Sequence, residues 1–584
     1  MPHTEQKKEL VCQDGYHIAY RYFSSGTLSE KASSPAIILL HRKNNFPQGL
    51  TPFIRRLCLP EYRFLSLEIA DDALSHCREK KASNISIQIS HFQEFFEYAQ
   101  SEYNIKATNV VIISFDEYAT VVSSWVIDYA PSIRCAILYS PMFLFTIYDA
   151  LSAYLKGNLH NLYRKLFTKK RSINESEQGR SEDVNLLNFN AFPSGILSWR
   201  SLADILFTGR RITRSTFSYP TSTQVFISEK EGLTSVCAQL KFYASIGSDK
   251  KELIVLPAVG GRYQDRDSML LAQTRDFIVE CFSKNINVHS LFNSYKEGVT
   301  KDEYEKLRLP ETNLIKSAYW AVNKLALKHI GKLSDGIQLG LETGFDSGAS
   351  LDYIYRNTPS GKNVLGRAID NYYLSNIGWH CTRMRKRHVE ALMVVACQRL
   401  SEEQKTIRFL DIAAGHGSYI ISTIEKMQYP IAHVLMRDFE QSNVLNGEKL
   451  IQQNNLAELV TFEQGDAFSS QDLITLPQDR TLTIVSGFYE LFSDNRLVLD
   501  SLNGIAHATE LGGYLIYTTK LWNPKLDYMA RVLTSHKQGE HWLLRRRTQL
   551  EIDQLVNQAG FVKITQRIDP WGMFSVAMAK KIAQ

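Results

Sequence analysis

The sequence predicts an α/β protein of two successive sheets, the second Rossmann-like and closing in an antiparallel hairpin, and three observations carry that prediction. Short apolar runs of strand composition recur through both halves of the 584-residue chain. One of them, in Thr406 to Gly417 (TIRFLDIAAGHG), ends in Asp411 and turns through Ala413, Gly415 and Gly417 into another apolar segment. A strand, Gly-rich turn and helix of this kind lets a nucleotide-like ligand lie against bare backbone. Near the C-terminus, Phe561 to Ile568 and Phe574 to Ala579 read as strands joined by Asp569, Pro570, Trp571 and Gly572, and a hairpin is antiparallel.

In chain order, the first half gives strands at Tyr16 to Tyr22, Ala36 to Leu40, Phe64 to Leu67, Val110 to Ile113, Ala136 to Tyr139, Thr223 to Ile227 and Leu253 to Leu256. Ala136 to Leu155 is apolar for long enough to raise a membrane span. Pro141 and Asp149 interrupt it, however, and it is read as a core strand followed by a lid helix. The polar Thr168 to Asn185 is a loop within that lid. Between the halves, Lys301 to Leu309 and Leu314 to His329 are helical, and the glycines of Gly340 to Gly348 (GLETGFDSG) predict turns. Gly366 to Arg387 reads as one amphipathic helix whose basic end, Arg383, Arg385, Lys386 and Arg387, is a solvated face favoured by the helix dipole. These readings divide the chain into residues 1–290, a connector at 291–365, and residues 366–584.

The second half continues with Ile431 to Met436, which ends in Arg437 and Asp438, then Val460 to Phe462, Leu482 to Ser486 and Gly513 to Thr518. A dinucleotide fold wants G-x-G-x-x-G, and Ile420 stands three residues beyond Gly417, which weakens a dinucleotide reading. Asp438, at the tip of a second strand, is placed to accept from both ribose hydroxyls. Gly465, Asp466, Ala467 and Phe468 have the shape expected for gripping adenine, a carboxylate near the exocyclic amine and an apolar ring against the base.

Composition bounds the rest. With 44% hydrophobic and 22% charged residues the chain is an ordinary globular one, and a net charge of +6 over this length argues against a dedicated nucleic-acid binder. Eight cysteines without a C-x-x-C predict neither a zinc site nor a disulfide framework, and no metal is expected. They fit a reducing, cytoplasmic setting, and the N-terminal MPHTEQKKELVCQDG has no signal-peptide core.

The D-x-A-x-G-x-G pattern of the turn resembles motif I of class I S-adenosylmethionine (SAM) methyltransferases, and the terminal hairpin fits the sheet of that family. The resemblance implies SAM as cofactor, bound by Asp411, Ala413, Gly415, Gly417, Asp438, Asp466, Ala467, Phe468 and Ser486. It implies that Asp411 orients the turn while Gly415 and Gly417 let the methionine end approach. It also places Phe488, Tyr489 and Glu490 toward the transferred methyl, with Tyr489 and Glu490 the candidates for substrate positioning or proton removal. Trp522, His536, Trp542 and Arg545, Arg546 and Arg547 fall on the acceptor side. That run motivates an anionic, lipid-like or other small-molecule acceptor, with peripheral membrane contact open.

The first half resembles an α/β-hydrolase. His41, Arg42 and Lys43 occupy the place of the oxyanion loop, and Ser114, Phe115, Asp116, Glu117 and Tyr118 that of the nucleophile elbow. Asp116 holds the nucleophile's position and Tyr118 a position that the family keeps small. Glu231 stands at the acid's place, and the histidine's place, Ala258 to Tyr263, holds none. The expectation is a fold that has lost its triad, with His41 structural. As a whole the chain resembles bacterial proteins described as bifunctional α/β-hydrolase and class I SAM-dependent methyltransferase. The resemblance is carried by ETGFDSG at 342–348, LDIAAGHG at 410–417, RDF at 437–439, GDAF at 465–468, SGFYELF at 486–492 and RRRTQ at 545–549. Two other readings stay open: a hydrolase acting through Asp116 or Ser114 with SAM as a regulatory or structural ligand, and a non-catalytic SAM-binding interaction protein.

Overall fold

The computed structural model describes residues 3–25, 34–42, 45–46, 49–68, 85–152, 154–155, 199–228, 235–248, 250–256, 263–283, 300–536 and 540–582. They form two compact units, Met1–Leu291 and Phe292–Gln584. The first holds an eight-stranded sheet made of β1 (His3–Val11), β2 (His17–Ser25), β3 (Ala36–His41), β4 (Arg63–Glu68), β5 (Val110–Phe115), β6 (Cys135–Tyr139), β7 (Thr223–Ser228) and β8 (Lys251–Leu256). Their spatial order is β1-β2-β4-β3-β5-β6-β7-β8. β2 runs antiparallel to β1 and β4, and β3 to β8 are parallel to one another. Strands buried on both faces read as unbroken apolar runs, and β3, β5 and β6 are buried at every position. β1 is absent from the sequence reading. It is an edge strand carrying Lys7, Lys8 and Glu9, the charges that keep an open edge from pairing with another chain.

The second unit holds β9 (Ile407–Ile412), β10 (Ile431–Asp438), β11 (Val460–Gln464), β12 (Arg480–Val485), β13 (Thr509–Lys520), β14 (Phe561–Ile568) and β15 (Phe574–Lys581). The order β11-β10-β9-β12-β13-β15-β14 is that of a class I methyltransferase sheet, with only β15 antiparallel to its neighbours. The chain leaves β9 toward β10 on one side and later returns to β12 on the other. The C-terminal ends of β9 and β12 therefore flank a topological switch point, where open α/β sheets bind ligands.

Of residues 291–365, read as a connector, the described part, 300–365, packs within this unit. Leu307, Ile337, Phe345 and Ile354 share one apolar cluster with Leu374, Trp379, Leu526, Met529, Leu533 and Trp542. The turns expected through Gly340 to Gly348 shrink to residues 344–347, between helices Asp335–Thr343 and Gly348–Arg356. The single helix expected over Gly366 to Arg387 is two, Val364–Leu374 and Ile377–Glu402, because the Asn376 side chain accepts from Gly378 N and starts a new helix. Among the described residues no helix is long and apolar enough to cross a membrane, and Ala136 to Tyr139 lies inside β6.

Candidate functional site

At the end of β9 the chain reverses through three residues in the left-handed region, Ala413 (φ 56°), Gly415 (φ 61°) and Gly417 (φ 70°). The turn is tied to β10. Ala414 N donates to Arg437 O at 3.0 Å, and Gly415 N to Asp438 Oδ2 at 2.8 Å. The other Asp438 oxygen accepts from Glu440 N (3.0 Å) and Asn443 Nδ2 (2.9 Å), so this carboxylate positions the turn as well as standing at the strand tip. A Cβ on Gly415 would meet nothing nearer than Gly348 Cα at 3.8 Å, whereas one on Gly417 would strike Met436 Sδ at 2.5 Å. Gly415 therefore presents bare backbone to open space. Gly417 does not, and its lack of a side chain serves packing against β10, contrary to the expectation for it.

Asp411 is fully buried, with Oδ1 accepting from Tyr419 OH at 2.6 Å and Oδ2 without a partner. Burial pushes its pKa up to about 8. The helix Gly348–Arg356, missed in the sequence, meets the turn. Its Asp352 accepts from Ser418 Oγ and lies 2.8 Å from His416 Nδ1. Its signal was the Ser347 N-cap, whose side chain accepts from Ser350 N.

On the far side of β10, Asp466 Oδ1 accepts from Phe468 N (2.9 Å), and Asp466 N donates to Asp472 Oδ2 (2.7 Å), fixing the loop after β11. Ala467 is buried. Phe468 stacks on Phe488 (5.1 Å between centroids, 21°) and meets Phe492 edge-on (4.5 Å, 72°). The loop after β12, which begins at Ser486, thus shares an aromatic cluster with the loop after β11.

The two substrate-side candidates part ways. Tyr489 points into the core with its hydroxyl 3.1 Å from Ser501 Oγ, so it offers nothing to a ligand, which corrects the expectation for it. Glu490 faces a cavity of about 680 Å³ whose walls include Tyr319, Trp320, Trp379, Tyr528 and Trp542. At its base lie Gly487, Glu490, Arg385, Lys520 and Phe574. Arg385 Nη1 is 3.3 Å from Glu490 Oε1, and both side chains are 5% exposed. Arg385, read as part of a solvated basic run, is buried because Gly487 has no Cβ to displace its guanidinium. Lys520 was not singled out in the sequence. Its Nζ lies 4.1 Å from the Phe574 ring centroid, and burial lowers its pKa to about 8.

The arginine run is structural. Arg545 pairs with Glu551 at 2.6 Å, with side chains 1% and 0% exposed. Arg546 pairs with Glu303, and Arg547 donates to Asn495 Oδ1, Tyr489 O and Phe492 O at 2.6–2.8 Å. None lines the cavity, whose cationic side chains are Arg385, Lys520 and Lys525 instead. Trp542 lines the cavity, and Trp522 is buried outside it. His536 Nδ1 is 3.1 Å from Asp346 Oδ1.

In the first unit Asp116 occupies the elbow after β5 with φ 52° and ψ −123°, and helix Glu117–Tyr129 follows. Its Oδ2 accepts from Asn45 Nδ2 at 2.9 Å, and Arg42 Nε donates to Glu117 at 2.6 Å. His41 is 2% exposed and spends both ring nitrogens, on Ser66 Oγ (2.7 Å) and Arg42 O (2.8 Å). Ser114 is fully buried within β5, which removes it as a nucleophile. Lys43, Glu231, Ala258 to Arg262 and Thr168 to Asn185 lie outside the described residues.

Two family models match the chain. One, described as "Putative methyltransferase", spans residues 274–581, and one described as "Serine aminopeptidase, S33" spans residues 32–260. The uncharacterized protein YnbC of Escherichia coli (strain K12) is 34% identical over 98% of this chain and 97% of its own length. Among solved structures, an esterase of Pyrococcus furiosus is 14% identical with a TM-score of 0.32, covering 48% of this chain and 93% of its own. A "putative sarcosine dimethylglycine methyltransferase" of Galdieria sulphuraria is 13% identical with a TM-score of 0.26, covering 35% and 88%. The chain belongs to the methyltransferase family whose model spans more than half of it, and it carries an α/β-hydrolase-like unit ahead of the methyltransferase unit.

Proposed function

We propose that the second unit is a SAM-dependent methyltransferase acting on a small-molecule acceptor held in the 680 Å³ cavity. The observation that carries this is the bare Gly415 backbone at the switch point of the sheet, beside a strand whose C-terminal loop opens onto that cavity. Asp411 and Ile412 pair with Ile484 and Val485 of β12, and Gly487 and Glu490 follow at once. The residues present fit the cofactor: a cradle at Gly415 that a Cβ would fill, and a buried Asp411 oxygen without a partner. Gly415 and Asp411 would hold the methionine end, Asp438 the ribose, and Asp466 with Phe468 the adenine. When bound, SAM supplies a methyl group on a sulfonium that leaves readily, so the chain need only orient the acceptor and exclude water. The aromatic walls, carried in part by helices Leu314–His329 and Ile377–Glu402, would do both, with Glu490 and Arg385 paired in the same wall. The test is calorimetric titration of the full chain with SAM and its demethylated product, followed by radiolabelled methyl transfer into lipid, small-molecule and protein fractions. Absence of saturable SAM binding would end this reading. SAM binding with no labelled fraction would leave a SAM-binding interaction protein.

We read the first unit as a hydrolase fold without a working triad, since Ser114 is fully buried and both ring nitrogens of His41 are engaged within the fold. One observation favours the other view. Asp116 keeps the strained elbow backbone, φ 52°, that a nucleophile needs. Ester turnover abolished by Asp116→Ala would establish it, and no turnover on a panel of activated esters would dispose of it.

A further inference from the structure

The base of the cavity carries more positive than negative charge. Three ionisable side chains line it there, Arg385, Lys520 and Glu490, and all are 5% exposed. Glu490 is shared with Arg385 through one oxygen, and its second oxygen and Arg385 Nε have no hydrogen-bond partner. Lys520 Nζ makes no ion pair or hydrogen bond among the described residues and rests on the Phe574 ring, where Arg385 Cζ also lies, 4.9 Å from the centroid. The next charged neighbour, Asp569, is not in the cavity wall. Its oxygens are taken by the N–H groups of Trp571, Met573 and Phe574 and by Cys381 Sγ. Two buried cations that share one carboxylate leave a positive charge that is costly to keep, and a ligand of opposite charge completes it. The rest of the wall is mostly apolar and aromatic, with Asp346, Lys525 and Asp527 also lining it and with two indole N–H groups, of Trp320 and Trp542, that are buried and have no acceptor. A cavity of this size accommodates a drug-sized organic molecule.

We propose that the molecule bound in this cavity is a monoanionic carboxylic acid with an aromatic or long apolar body, its carboxylate held by Lys520 and Arg385 and its body by the tryptophan and tyrosine walls. This rests on the methyltransferase reading for the word acceptor, but the acid-binding site itself stands on the geometry. One negative charge is the complement of two cations already sharing Glu490. A dianion such as a phosphate monoester would be drawn too close to that carboxylate. Lys520 is the specificity determinant, because Arg385 is already half-engaged.

The experiment titrates the full chain with naphthalene-2-carboxylate and with its neutral isostere naphthalene-2-carboxamide, by calorimetry and by quenching of tryptophan fluorescence, at pH 6.5 to 9.5. The expected result is at least tenfold tighter binding of the acid near neutral pH. That preference should fade as pH passes about 8, where Lys520 loses its proton, with Glu490, Arg385, Cys381 and Asp569 the groups that set the midpoint. Lys520→Met should abolish the preference, the acid then binding no more tightly than the amide. Equal affinity for acid and amide in the unaltered chain would overturn the proposal without recourse to any variant, and so would a preference that survives Lys520→Met. A chain that binds SAM but shows no acid preference sinks this inference alone. Acid preference without SAM binding sinks the methyltransferase reading and leaves an acid-binding cavity.

Discussion

Gly415 and Gly417 stand two residues apart in one turn, both left-handed, yet they should respond to the same substitution in different ways. An alanine in the left-handed region costs about 1–2 kcal/mol, and this applies at φ 61° and at φ 70° alike. At Gly415 nothing is added to that, because the new methyl would find only Gly348 Cα at 3.8 Å. At Gly417 the methyl would lie 2.5 Å from Met436 Sδ and 2.8 Å from its Cε, so the fully buried Met436 side chain would have to shift within the core. Overpacking of that kind costs about 1–3 kcal/mol more. Gly417→Ala should therefore lose about 2–5 kcal/mol and Gly415→Ala about 1–2 kcal/mol. For SAM binding the order reverses. Gly415→Ala places a methyl in the open cradle and should weaken SAM at least tenfold, whereas folded Gly417→Ala should bind within about threefold of the unaltered chain, about 0.6 kcal/mol. Urea unfolding followed by tryptophan fluorescence measures the first quantity, since five of the seven tryptophans, Trp320, Trp379, Trp522, Trp542 and Trp571, lie in the second unit. Calorimetry measures the second. SAM affinity unchanged in Gly415→Ala would refute the assignment of the cradle, and equal destabilisation of the two variants would refute the packing role of Gly417.

Arg545→Ala should cost about 3–5 kcal/mol in urea unfolding by stranding the buried Glu551, with no change in the salt dependence of ligand affinity in the folded fraction. Asp411 carries a pKa raised to about 8 by burial, so in the folded state it keeps a proton that the unfolded chain loses near pH 4. Its contribution to stability is full below about pH 4 and is lost as pH rises through 8. Asp411→Asn should flatten the fall in unfolding midpoint between pH 5 and 8, and a slope identical to that of the unaltered chain would contradict the shift. Tyr489→Phe should remove one buried hydroxyl contact, for about 1 kcal/mol, and leave methyl transfer intact, whereas a hundredfold loss of turnover would return Tyr489 to the site. Asp352→Ala frees His416 and Ser418 and should weaken SAM several-fold by loosening the helix that meets the turn, read by calorimetry.

What could be read from the sequence was what is local in the chain. β3, β5, β6 and β12 are buried on both sides and announce themselves as unbroken apolar runs, and the turn after β9 is spelled in consecutive residues. β1 hid because an edge strand has no apolar face to display. The helix break at Asn376 hid inside a longer amphipathic pattern, although an asparagine ahead of Gly378 is a cap signal that could have marked it. Direction was the hardest thing to read. Arg545, Arg546 and Arg547 follow one another in irregular backbone, where neither helical nor strand periodicity assigns a face, and each found a different buried partner.

The same distinction explains why the Gly-rich turn was legible and the cavity was not. Asp411, Gly415 and Asp438 come from one βαβ step, so their spacing in the chain already fixes their meeting in space. The cavity draws on Trp320, Arg385, Glu490, Lys520, Trp542 and Phe574, spread over more than two hundred and fifty positions, and it exists only once helices Leu314–His329 and Ile377–Glu402 have packed beside the strand ends. Arg385 and Lys520 each look like an ordinary charge at the end of a helix or strand until Gly487 and Phe574 are brought beside them. A sheet of this kind can keep the first arrangement while exchanging the second, because Lys520, Trp320 and Trp542 make none of the contacts that tie the Gly-rich turn to β10 and to Asp352. Specificity in this protein should therefore be sought by varying Lys520, Trp320 and Trp542. Changes at these positions should alter which molecule is bound while SAM affinity stays the same, and a joint loss of both would show that the cavity wall and the turn are one cooperative element instead of two.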